Sequence, residues 1–99
     1  MIIKVKDFIQ GNTAIAYDDG VKCLNEELLA IRKGEDIVLD FQGIEYVITA
    51  FLNPVIGDLI LQLGIEIMKK VSIVNANQFI IEKIKLVKDG TLLKREDIE

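Results

Sequence analysis

The run IVLDFQGIEYVITAFLNPVIGDLILQL, Ile37 to Leu63, constrains the fold of this chain more than any other feature. Ile37, Val38 and Leu39 are consecutive apolar residues, the pattern of a strand that is central or covered on both faces. Gln42-Gly43 turns the chain, and Ile44 to Ile48 leads towards an apolar helix with Ile56, Leu59, Ile60 and Leu63 on its core face. A strand that hands over to a helix start at a small polar residue, here Thr49, puts that hydroxyl at an exposed, anion-friendly corner. Thr49 as the cap would leave Pro54 too deep in the helix, where it removes an internal hydrogen bond. Asn53-Pro54 fits an N-cap followed by a first-turn proline better. The spacing therefore predicts a tight or 3₁₀-like turn over Thr49 to Leu52 and a regular helix from Asn53 to Leu63, ended by Gly64.

The flanking segments complete an α/β pattern. Ile3 and Val5 alternate with Lys4 and Lys6 as in a strand, Gly11-Asn12 is a turn, and Thr13 to Ala16 would complete a hairpin. Asp18 and Asp19 suit a helix entry, and Val21, Leu24, Leu28 and Ile31 share one helical face until Gly34 stops it. Lys22, Glu26, Arg32 and Lys33 point outward, and Cys23 reads as semi-buried packing. Val71 to Asn75 is a further strand. Asn77 then caps a third helix running to about Lys88, with Ile80, Ile84 and Val87 on one face. Asp89-Gly90 reads as a turn, Thr91 to Lys94 as a last edge strand and Arg95 to Glu99 as a frayed acidic tail. The order implies a single domain over residues 1–99, a mixed four- to five-stranded sheet with about three helices packed against it.

Composition bounds the function. The chain has no histidine and a single cysteine, which removes the commonest general base, any Ser-His or Cys-His nucleophile pair and a zinc site. No glycine-rich nucleotide fingerprint is present, and the carboxylates are scattered, so neither catalysis nor a metal or other cofactor is expected. The net charge of −4 opposes nucleic-acid binding. Asp40, Glu45, Asp58 and Glu66 break the apolar region before it reaches membrane-spanning length. One cysteine and no signal pattern suit a reducing cytoplasm. Hydrophobic residues make up 51% of the chain, and this surplus leaves two readings open: a tightly filled core, or a surface for self-association or a partner.

The run VLDFQGIEYVITAFLNPVIG, Val38 to Gly57, resembles the STAS-like domains of the DUF4325 group: a strand ending in Asp-Phe, a glycine two residues on, then a hydroxyl-bearing turn, a Phe and an Asn-containing helix start. More distantly, the order of elements resembles bacterial anti-sigma-factor antagonists of the STAS class, and Asp89-Gly90-Thr91-Leu92-Leu93 resembles the glycine turn before their last strand. The resemblance implies a protein-binding regulatory module whose partner is a histidine-kinase-like ATPase or an anti-sigma-type regulator. In the antagonists a serine at the start of the second helix is phosphorylated; by spacing it falls at Ala50, with the preceding hydroxyl at Thr49 and the preceding aspartate at Ile48. Thr49 is thus either a displaced phosphorylation switch or a turn residue whose hydroxyl bonds a nearby amide. The expected partner-binding residues are Ile48, Thr49, Ala50, Phe51, Asn53 and Asp40, with Asp40 ending a strand at the same corner. The rival reading is a self-assembling structural domain that forms a homo-oligomer and has no signalling role.

Overall fold

The computed structural model describes the backbone of residues 1–98 and the side chains of residues 1–93. Among the described residues there are five short strands: β1 Ile2–Lys4, β2 Thr13–Ala14, β3 Ile37–Asp40, β4 Tyr46–Val47 and β5 Val71–Val74. They form two small sheets, β1-β3-β5 and β2-β4, and every pairing is parallel. The expected single mixed sheet is therefore split in two, and the expected β1-β2 hairpin does not form. The reason lies in Val5–Phe8, which winds into a 3₁₀ turn with Val5 buried and Phe8 half-buried. Those two side chains sit three apart, a 3₁₀ spacing that ends the alternation at Lys4 and carries the chain out of the first sheet. Within the larger sheet Ile3, Leu39 and Ile73 share one row. The opposite face carries Ile2, Val38 and Ser72 and stays open, with Ile2 66% exposed.

Helix α1, Tyr17–Arg32, ends as its glycine demands. Gly34 has φ +74°, its N–H donates to the Ile31 carbonyl at 3.0 Å, and the Glu35 N–H reaches back to the Ala30 carbonyl at 2.9 Å. This is a Schellman closure. The buried face is rotated slightly from the expected one, to Gly20, Cys23, Leu24, Glu27 and Ala30. Cys23 is fully buried.

The second helical region reverses the expected order of regular and irregular turns. α2, Thr49–Leu52, is α-helical, Asn53–Asp58 is π-helical, and α3, Leu59–Leu63, returns to the α register before Gly64. Pro54 supplies no N–H to the carbonyl four residues back, and the wider π turn forms around it. Phe51, Leu52, Val55, Ile56, Leu59 and Ile60 are all fully buried, so this region is the centre of the core. It packs against α1 on one side and α4, Gln78–Ile98, on another.

Asn77 caps α4 as its sequence implies, its Oδ1 accepting from the Ile80 N–H at 2.9 Å. The helix then continues through Asp89-Gly90, so the edge strand expected over Thr91 to Lys94 is helical instead. Burial explains it. Ile80, Ile84, Val87 and Thr91 form one continuous buried stripe, and an added Cβ on Gly57 would lie 3.0 Å from Thr91 Oγ1. Packing outweighs the weak helix propensity of one glycine. The tail expected over Arg95 to Glu99 lies in this helix as far as Ile98, and Glu99 falls outside the described residues. Among the described residues no helix is long and apolar enough to cross a membrane.

Two glycine substitutions separate close packing from simple flexibility. A Cβ on Gly20 would run into the Phe51 carbonyl oxygen and lie 2.7 Å from Pro54 Cγ, whereas one on Gly90 meets nothing within 4 Å. Gly20→Ala is expected to destabilise the protein by about 1–3 kcal/mol. Gly90→Ala is expected to stabilise it by about 0.4–1 kcal/mol. Urea denaturation of the two variants checks both signs.

Candidate functional site

The Thr49 corner is built by β4 and by the first turn of α2. Ile48 has extended backbone (φ −120°, ψ 164°) and occupies the N-cap position. Its N–H donates to the Ala14 carbonyl at 3.1 Å, and its carbonyl accepts from Phe51 N–H at 3.1 Å and Leu52 N–H at 3.3 Å. The corner is thereby tied to β2. Ile48 has no polar side chain, so among the described residues no side-chain bond caps the helix from the N-cap position. Thr49 and Asn53 are exposed, four residues apart and hence neighbours on one outward line, while Ile48 and Ala50 are half-buried. Phe51, expected among the partner contacts, is fully buried in the core and offers no surface.

Asp40 belongs to a different place. It ends β3, where Lys4, Lys6, Asp7, Asp40, Gln42 and Gly43 line an open cleft of about 380 Å³ at the C-terminal ends of β1 and β3. Asp40 Oδ1 accepts from the Gln42 N–H and from Asn75 Nδ2, both at 2.9 Å. Asn75 sits at φ +58°, a left-handed conformation that asparagine tolerates better than most side chains. The Asn75 bond first, then the Gln42 amide, hold the Asp40 carboxyl below the usual carboxylate range. Partial burial opposes them and Lys4 assists. Asp40 and Thr49 share neither a hydrogen bond nor a cleft among the described residues. The expected single corner is divided because β4 leaves Asp40's sheet and pairs with β2.

Two features were not visible as site features in the sequence. Tyr46 on β4 stacks on Phe79 of α4 with ring centroids 5.0 Å apart and planes 18° apart, and Lys83 Nζ lies 5.4 Å from the Phe79 centroid. Both rings keep an open side, with Tyr46 45% and Phe79 37% exposed. The Asn77 side chain steadies this contact by donating to the Glu45 carbonyl at 3.1 Å. The second is Glu27, a fully buried carboxyl on α1. Gly20 and Ala30 at helical spacing from it were the available signal, since small residues on one stripe mark close helix packing.

A parallel α/β domain with this strand-to-helix corner belongs to a recognisable class. The family model described as a STAS-like domain of unknown function (DUF4325) matches residues 19–80, from the first turn of α1 to the first turn of α4. The chain is a member of that family. No curated protein and no solved structure matches it.

Asp40 gives the cleft a defined pH response. A carboxyl held below its unfolded value contributes stability above that value and loses it as pH falls through the folded one. The stability gap between wild type and Asp40→Ala is therefore expected to be full at neutral pH and to close as pH drops below the ordinary aspartate value of 3.8. Denaturation at a series of pH values measures it, and a gap that widens towards acid contradicts the assignment.

Proposed function

We propose that this STAS-like domain is a non-enzymatic regulatory module of the cytoplasm that works by binding another protein, a histidine-kinase-like ATPase or an anti-sigma-type regulator. Family membership supports the class of module. The observation that carries the binding role is the exposed Tyr46–Phe79 stack with Lys83 beside it. Tyr46 lies three residues before Thr49 on the strand that feeds the corner. Ile15 and Tyr17 follow β2, the partner strand of β4, and are exposed as well. Rigid aromatic side chains that lose little entropy on docking are the usual anchors of protein interfaces.

Thr49 supplies the regulatory element of this reading. It is exposed, and the neighbouring Ala50 has no hydroxyl. A phosphate on Thr49 would add about −1.5 to −2 charges at the rim of the aromatic patch and change what docks there.

Calorimetry with the purified histidine-kinase-like ATPase encoded nearest to this chain tests the reading. Tyr46→Ala is expected to weaken binding at least ten-fold, about 1.4 kcal/mol, with the fold intact by circular dichroism. No binding by the wild type, or binding indifferent to the substitution, contradicts it. Incubation with that kinase is expected to add one phosphate to the wild type and none to Thr49→Val. Labelling that persists in the valine variant removes Thr49 from the switch.

A further inference from the structure

Helix α1 carries a buried acid. Glu27 is fully buried, and neither of its carboxyl oxygens has a hydrogen-bond partner among the described residues. It lies on the same face as Gly20 and Cys23, about two turns from Gly20 and one from Cys23. α1 packs on Thr49–Leu52 and on the π-helical Asn53–Asp58, and Gly20 brings it against Phe51 and Pro54. A π turn inside a helix is frequently found at a functional site.

The charged and titratable groups around this joint do not neutralise the acid. Cys23 and Glu26 lie beside it on α1, and the elements packed against α1 bring Asp58, Lys6, Asp7, Lys4 and Asp40. None makes a hydrogen bond to the Glu27 carboxyl. Burial pushes that carboxyl well above the usual range, and it also pushes the Cys23 thiol up, with Glu27 and then Glu26 adding to the effect.

We propose that Glu27 is a protonation latch on the joint between α1 and the helix over 49–58: the joint is closed while the carboxyl keeps its proton, and it opens when the proton passes to water and the carboxylate is hydrated. The sign follows from linkage. The closed joint binds the proton and the open one releases it at an ordinary carboxylate value of about 4.3. Closure is thus strongest below that value and weakens as pH rises towards the raised value of the closed state. Across that window the open fraction grows about ten-fold per pH unit. Opening loosens Phe51 and Leu52 and so changes the Thr49 corner, whatever docks there.

Cys23, one turn away and fully buried, is a built-in reporter. Its reaction with a thiol reagent, normalised to the thiolate fraction of a free cysteine peptide, measures the open fraction. From about pH 5 to about pH 8 the wild-type value is expected to rise at least ten-fold, while Glu27→Leu and Glu27→Gln stay flat within about two-fold. If the leucine variant does not fold, the glutamine variant carries the comparison. Hydrogen exchange over the same range is expected to accelerate in α1 and 49–58 but not in Ile37–Asp40. A flat wild-type profile, the same rise in a folded Glu27 variant, or exchange that accelerates equally in Ile37–Asp40 overturns the latch.

Discussion

Gly20 lets α1 lie against the Phe51 carbonyl, and the packing of α1 on the buried helix depends on that approach. A side chain at that position would hold the two helices apart. With none there, the helix over 49–63 sinks between α1 and α4, and the second glycine contact, Gly57 on Thr91, closes the other side. Six side chains of this helix are fully buried. Each contributes roughly 1.5–3 kcal/mol as an upper estimate. By contrast, the three-stranded sheet is short and leaves one face open to solvent. The core is thus helical, with the sheet as one of its walls.

A helix so deeply placed shows only its two ends to the outside, with Leu61 to Leu63 exposed at the far one. That is why Thr49 and Asn53 emerge while Phe51 and Leu52 do not. β4 is held to β2, so the corner and the Tyr46–Phe79 stack go with the smaller sheet, and Asp40 with its cleft lies on the larger one. The π-helical turn around Pro54 sits between the exposed corner and the buried core. Glu27 occupies the same α1 face that Gly20 brings up to this helix. A change at the joint is therefore mechanically close to the corner.

Much of the fold was legible because its signals are local. Gly34 closes α1, Asn77 caps α4, and Ile37 to Asp40 form a central strand, each through chemistry that spans only a few residues. The mistaken readings concern what distant parts of the chain do to one another. Thr13–Ala14 pairs with Tyr46–Val47 instead of β1, and no local pattern specifies that partner. Asp89-Gly90 carries a turn signal that packing of Thr91 against Gly57 overrides. Pro54 announces an irregularity without saying whether the chain answers with a helix start or a π turn. Thr49 and Asn53 were legible as exposed positions of the corner from the strand-to-helix handover alone. The stacking of Tyr46 on Phe79, 33 positions away, was not. Glu27 carried only an indirect sign of burial, the small residues Gly20 and Ala30 on its stripe, until the facing helix was in place.

The clamp of α1 on the buried helix is open to direct measurement by nuclear Overhauser effects in solution. Cross-peaks from the Gly20 α protons to the Pro54 ring, together with cross-peaks from the Gly57 α protons to the Thr91 side chain, are the predicted result. A folded protein that lacks both sets, with the Gly20 α protons facing water or the sheet, would contradict the packing on which the corner and the latch both rest.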